Sequence, residues 1–180
     1  MVIILMGVSG CGKSTIGELL SNELSLPFYD ADNFHPESNV DKMSRGEALN
    51  DMDRNPWLNH LSEKITEWNQ SGGAILACSA LKEKYRDLLR QNTGDGSADN
   101  SGQVNESVIF VYLKGTKDLI KKRLFDRKGH YMPPELLDSQ FNDLEEPSDA
   151  LTIHIDKVPA EIVNEIQSQL SKFTENISDH

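Results

Sequence analysis

Short apolar runs alternate with amphipathic stretches along most of the chain. Residues 2–6, 27–29, 74–78, 108–113 and 151–155 carry few polar positions and read as buried strands of a parallel sheet. Between them apolar residues recur at helical spacing: Ile16, Leu19, Leu20 and Leu24; Leu58, Leu61, Ile65 and Trp68; Tyr85, Leu88 and Leu89; Ile162, Ile166, Leu170 and Phe173. Pro134 and Pro159 each open a helical pattern, followed closely by Glu135 and Glu161 in the turn where the helix dipole favours an acid. Alternation of strand and helix predicts βαβ units, and therefore an α/β fold with one parallel sheet covered by helices on both faces.

Residues 92–107 break the pattern with a run of Gly, Ser, Asn and Asp that has no periodicity and little to bury. They are expected to form a mobile surface loop inside a single domain spanning residues 1–180, not a boundary between two domains. Trp57 and Trp68 are eleven residues apart on one expected helix. That is about three turns, so they share a face and are expected to pack in the core.

Composition narrows the class. Hydrophobic residues at 37% and charged residues at 26% exclude a disordered chain. No apolar run approaches the ~20 residues of a spanning helix, so no membrane association is expected. The first six residues are apolar but lack a basic flank and stop at Gly7, which suits a buried strand better than an export signal. With only Cys11 and Cys78, two reduced thiols in a cytoplasmic protein are expected. The net charge of −11 argues against sequence-independent nucleic-acid binding, which needs a basic face. Charge is unevenly spread, however: residues 114–128 hold seven basic side chains against Asp118 and Asp126, so one segment is equipped to attract anions.

Candidate chemistry begins at Gly7, Val8, Ser9, Gly10, Cys11, Gly12, Lys13 and Ser14, followed by Thr15. These fit G-x-x-x-x-G-K-[ST] directly after a strand and at the start of a helix, the context in which that spacing binds phosphate. Glycines let the backbone N–H groups wrap an anion at a helix N-terminus. Lys13 is placed to bridge the β- and γ-phosphates of ATP, and the Ser14 hydroxyl to ligate Mg²⁺. Cys11 has two open readings, a thiolate activated by the helix N-terminus and Lys13, or a small apolar filler.

No N-K-x-D guanine signature is present, and the strands at 74–78 and 108–113 end in Ser79 and Lys114 rather than an acid. The carboxylates for metal and acceptor must come from elsewhere. Asp30 and Asp32, at the end of the second strand, are the source: alternate residues there share one side, with Asp30 toward the metal and Asp32 toward the acceptor hydroxyl.

Taken together these blocks resemble the gluconate kinases of the small P-loop type, relatives of shikimate and nucleoside monophosphate kinases. The likeness runs over almost the whole chain. It is carried by Asp30, Asp32, Phe34, His35, Pro36 and Asn39; by Asp51, Asp53, Arg54, Pro56 and Trp57; by Cys78, Ser79, Ala80, Leu81 and Lys82 with Tyr85 and Arg86; by Arg127, Lys128, Gly129 and His130; and by Ser139, Gln140 and Phe141 with Leu144, Glu145 and Pro147. Residues 92–107 depart from it, being longer than the family needs.

The resemblance implies a nucleoside monophosphate kinase-like domain with a lid at about 127–134, transferring the γ-phosphoryl of ATP to the 6-hydroxyl of D-gluconate, and a homodimer. On this reading Lys13, Asp32 and Arg127 are catalytic, Asp32 taking the acceptor proton while Arg127 closes over the transferred group. A polyhydroxy carboxylate also needs cations and hydrogen-bonding groups. His35, Arg54, Ser79, Lys82 and Arg86 are the candidates, with Lys42 and Arg45 as further cations in the same part of the chain. Shikimate or a nucleoside monophosphate as acceptor, or an ATP-binding regulatory module without turnover, remain as alternatives.

Overall fold

The computed structural model describes residues 1–91, 107–126 and 134–178. The chain runs β1 (Val2–Met6), α1 (Lys13–Leu24), β2 (Phe28–Asp30), a 3₁₀ turn (Ala31–Phe34), α2 (Glu37–Ser44), α3 (Asp51–Gln70), β3 (Ala74–Ala77), α4 (Glu83–Arg90), β4 (Val108–Lys114), α5 (Lys117–Asp126), α6 (Pro134–Asp143), β5 (Leu151–His154) and α7 (Pro159–Ser178). The five strands form one sheet in the order β2-β3-β1-β4-β5. Every pairing is parallel, Ile3 lying opposite Ile75 on one side of β1 and Ile109 on the other. The expected α/β architecture is therefore present, each apolar run supplying one strand.

Alternation along β1 divides the core. Ile3 and Leu5 face a cluster with Ile16, Leu20, Ile120, Leu137, Ile162 and Ile166, so α1, α5, α6 and α7 cover that side. Ile4 and Met6 face Trp57, Leu61, Ile65, Tyr85 and Leu89 from α3 and α4 on the other. All five β1 residues are fully buried, which is why this strand is apolar at every position instead of alternating. Both tryptophans are core residues, as their spacing implied, each 8% exposed.

Two elements were not foreseen, the 3₁₀ turn and α2. Both are short: Asp30 Oδ1 accepts from Asp32 N–H at 3.0 Å to start the turn, and Asn39 Nδ2 ties α2 to α3 by donating to Asp53 O at 2.9 Å. Helix α3 likewise begins seven residues before its apolar stripe, at Asp51 against Leu58. Asn50 and Asp53 form a reciprocal capping box there, and Lys42 Nζ reaches Asp53 Oδ2 at 2.6 Å. No described helix is long and apolar enough to cross a membrane.

Gly17 fixes how closely α1 lies on β2. A Cβ at this position would come within 2.2 Å of the Phe28 ring. Alanine is the better helix former by about 1 kcal/mol, but overpacking at a rigid ring costs about 1–3 kcal/mol. Gly17→Ala is accordingly expected to lower the denaturation midpoint, and Phe28→Leu in the same chain to restore part of the loss; a midpoint raised by the single substitution would refute this packing account.

Candidate active site

The carboxyl ends of β1, β2 and β3 converge on one crevice. Beyond β1 the chain turns through Gly7, Gly10 and Gly12 at φ of 141°, 85° and 101°, a left-handed region that favours glycine. Space is as restrictive as torsion at Gly7, where a Cβ would lie 2.9 Å from Cys11 Sγ and 3.0 Å from the Leu113 carbonyl oxygen. Helix α1 starts at Lys13 with Gly12 as its N-cap and no side-chain cap, so its first N–H groups are left for an anion. Lys13 Nζ lies across the loop and donates to the carbonyls of Gly7 and Val8 at 2.9 and 3.1 Å. Val8 is buried, Ser9 and Gly10 are half-buried, and Ser14 and Thr15 are exposed on the first turn.

Cys11 is a filler. It is 1% exposed and belongs to the apolar cluster on the α1 side of the sheet, with its sulfur against Gly7. The activated-thiolate reading required access that this packing denies. Cys78 is also enclosed, and burial pushes its thiol up to about 12.

Asp30 and Asp32 stand across from Ser14. The Ser14 hydroxyl donates to Asp30 Oδ2 at 3.5 Å, while Asp30 Oδ1 caps the turn that carries Asp32. Protein bulk around Asp32 and the negative charge of Asp30 raise its pKa, while His35 and Lys13 oppose the rise. The Asp32 side chain is itself 86% exposed, so water screens these effects and the carboxyl remains accessible from the crevice.

His35 is locked in place, its ring stacked on Trp57 at 4.1 Å between centroids. Trp57 is held in turn by a bond from Nε1 to the Ala31 carbonyl at 2.9 Å. Burial lowers the His35 pKa, Arg54 adds to this and Asp32 opposes it, so the neutral ring is favoured. Asn39 Nδ2 lies 3.3 Å from Nδ1, and its amide can only donate there; the ring proton therefore sits on Nε2, which is 3.9 Å from Asp32 Oδ1. His35 thus faces Asp32 as a donor.

The third wall is the loop after β3. Gly7 N–H donates to Ser79 O at 3.2 Å, joining the phosphate loop directly to this segment. Ala80 adopts a φ of 44°, uncommon for a residue with a Cβ. Arg86 explains how it is held. Expected among the substrate cations, Arg86 is instead 2% exposed, and its Nη1 donates to the Ala80 and Leu81 carbonyls at 3.0 and 3.2 Å. It braces the loop from beneath, and burial lowers its pKa.

The remaining cations divide by partner. Lys42 pairs with Asp53 at 2.6 Å, Arg45 with Glu47 at 2.8 Å and Lys82 with Asp143 at 3.3 Å. Arg54 has no carboxylate at ion-pair distance among the described residues, and Nη1 donates only to Tyr85 Oη, at 3.3 Å. Tyr85 itself donates to Asp51 Oδ1 at 2.6 Å; bonds from Lys84 and Tyr85 hold the Asp51 carboxyl down at about 2. Arg127, Gly129, His130 and the expected lid at 127–134 up to residue 133 lie outside the described residues, as do residues 92–106 of the expected loop.

Gln140 was missed as a site residue. From α6 its Oε1 accepts from the Ser9 backbone N–H at 2.6 Å and its Nε2 donates to Ser9 Oγ at 3.0 Å. A signal was available: Gln140 interrupts the stripe of Leu137, Phe141 and Leu144, and a polar residue in an apolar stripe needs a partner.

A parallel sheet with β1 between β3 and β4, a glycine-rich loop opening α1, and two carboxylates across the crevice define a small P-loop kinase. The profile of the family described as shikimate kinase matches residues 9–171. The gluconokinase of Arabidopsis thaliana is 43% identical over 171 residues, covering 92% of this chain and 89% of its own. The thermoresistant gluconokinase of Escherichia coli K12 is 40% identical, covering 87% and 85%. The crystal structure of a gluconokinase from Sinorhizobium meliloti 1021 superposes with a TM-score of 0.84 at 35% identity, covering 98% of this chain and 95% of that one. The chain belongs to the shikimate kinase family and, within it, to the gluconokinases.

Because Cys11 and Cys78 are both enclosed, neither is expected to react with a thiol reagent in the native protein, with or without nucleotide, and two thiols are expected to appear on denaturation. Native labelling at Cys11 that Mg-ATP suppresses would restore the activated-thiolate reading.

Proposed function

We propose that this enzyme transfers the γ-phosphoryl group of ATP to the 6-hydroxyl of D-gluconate, giving 6-phosphogluconate. The observation that carries the proposal is the crevice itself, where Ser14 of the phosphate loop lies 3.5 Å from Asp30 and Asp32 follows on the same turn, open to an acceptor. The gluconokinase names of the relatives supply the acceptor. Nothing in the site favours shikimate, a nucleoside monophosphate or a module without turnover.

Each residue has a task. The phosphate-loop N–H groups and the α1 N-terminus bind the nucleotide phosphates, and Lys13 exchanges its carbonyl partners for phosphate oxygens. Ser14 and Asp30 are hard oxygen donors close together, a set that fits Mg²⁺, which takes one or two protein oxygens and fills its shell with water and phosphate. When bound, the ion offsets charge on the β- and γ-phosphate oxygens. Asp32 accepts the proton of the 6-hydroxyl as that oxygen attacks, with His35 Nε2 facing its Oδ1 from 3.9 Å. Arg127 is retained as the residue that stabilises charge on the transferred group.

For the gluconate carboxylate we select Arg54. It is a cation near enough to His35 to act on its charge and has no carboxylate partner among the described residues, whereas Lys82 is already paired with Asp143. A guanidinium fork matches a carboxylate in a two-point contact that lysine cannot reproduce. Ser79 and Lys82 then line the side nearest the hydroxyls.

The acceptor is tested by measuring ADP release with gluconate, shikimate, AMP and CMP. Gluconate alone is expected to support turnover, and Asp32→Asn is expected to cut kcat about 10²- to 10⁴-fold at little cost in ATP affinity. ADP release with another acceptor and none with gluconate would overturn the assignment.

Arg54→Lys is expected to raise the KM for gluconate about 10-fold or more while leaving the KM for ATP within about 2-fold, the signature of a lost charged two-point contact. An unchanged gluconate KM would pass the role to Lys82.

A further inference from the structure

Helix α6 touches both halves of the crevice, and the reaction as derived above does not use it. At one point Gln140 makes its two bonds to Ser9, 131 positions away in sequence. Just beyond the helix, Glu145 N–H donates to the Leu81 carbonyl at 2.9 Å, and Glu145 Oε2 accepts from Glu83 N–H at 2.6 Å. The second bond caps α4, whose own N-cap residue, Lys82, offers no side-chain cap. Asp143 adds the ion pair to Lys82. The phosphate loop and the loop after β3 are thus both gripped by one stretch of chain, residues 140–145.

That stretch has the packing to act as one body. Leu137 is 1% exposed in the cluster on the α1 side of the sheet. Leu144 packs against both core clusters, so the strap is seated on both sides of the sheet end. Its bonds to Ser9, Leu81 and Glu83 are directional, and they take up the backbone N–H groups of Ser9 and Glu83.

We propose that Gln140 is a positioning residue that joins the phosphate loop to the acceptor loop through α6, so that nucleotide bound at one orders the other. The acceptor label rests on the function proposed above; the mechanical link does not. A nucleotide that fixes Ser9 fixes Gln140, and the helix carries that restraint to Glu145 and so to Leu81 and Glu83. By linkage, whatever order the nucleotide imposes on the acceptor loop is returned as tighter nucleotide binding when that loop is filled.

The test is amide hydrogen exchange with and without a saturating non-hydrolysable ATP analogue and Mg²⁺, with no acceptor present. In the unmodified protein the analogue is expected to slow exchange at the amides of Glu83 and Glu145 by about five-fold or more, within the usual range of coupling between sites. In Gln140→Ala the phosphate-loop amides are expected to remain protected by the analogue, while the slowing at Glu83 and Glu145 falls below about two-fold. Ser9→Ala removes the hydroxyl contact without altering α6 and is expected to lose part of the same effect, which keeps the test decisive should Gln140→Ala fold poorly. Equal slowing at Glu83 and Glu145 with and without the Gln140 and Ser9 side chains, or no slowing in the unmodified protein, would overturn the proposal. Failure of gluconate turnover would remove the functional reading alone, because this measurement uses nucleotide only.

Discussion

A glycine-rich loop presents backbone N–H groups to a multiply charged anion only if its backbone is held open by the structure around it, and meeting that condition shapes everything around β1. Gly7, Gly10 and Gly12 supply torsions that would strain other residues, and Gly7 also lies against Cys11 and the Leu113 carbonyl. Val8 and Cys11 root the loop in the apolar cluster, and neighbouring elements hold the rest of it. Fully buried β1 anchors it from behind, Ser79 O takes the Gly7 N–H, Leu124 of α5 lies against Gly10, and Gln140 takes the Ser9 N–H. Of these supports, two come from elements at opposite sides of the crevice, which makes the phosphate loop a junction as well as a binding surface.

The second organising effect is the distribution of cations. Several basic side chains lie near the crevice, yet most are committed to carboxylates or carbonyls that set the shape of the fold. Arg86 is the extreme case: a buried guanidinium tolerated because two carbonyls of a strained turn accept its hydrogens. Lys42 secures the start of α3 through Asp53. With those charges engaged, Arg54 is left with Tyr85 Oη and no carboxylate among the described residues, and its charge is felt at His35. Partner geometry separates positioning cations from binding ones.

Aromatic packing performs the same sorting for His35. Stacked on Trp57 and hydrogen-bonded by Asn39, the ring has one orientation and one favoured tautomer. A tryptophan expected to serve the core therefore also orients a polar group at the site, and its Nε1 anchors the turn carrying Asp32 through the Ala31 carbonyl.

What the sequence determined by itself was whatever depends on short-range order. The five apolar runs are long enough to specify strands, the phosphate loop is one contiguous block whose spacing has a single physical use, and Asp30 and Asp32 lie within one turn of chain. The resemblance extended this to an activity. Tertiary structure decided the questions that turn on what lies opposite a side chain. Cys11 leaves an activated thiolate and a small filler equally open in sequence, but the apolar cluster on the α1 side and Gly7 enclose it. Arg86 and Arg54 look alike in sequence, yet one is buried against two carbonyls and the other meets only Tyr85 Oη, with no carboxylate partner among the described residues. Gln140 meets Ser9 across 131 residues. A residue type and its local spacing fix which bonds it is able to make; only the folded chain fixes which partner arrives within 3 Å, and for a charged or polar side chain that partner decides its role.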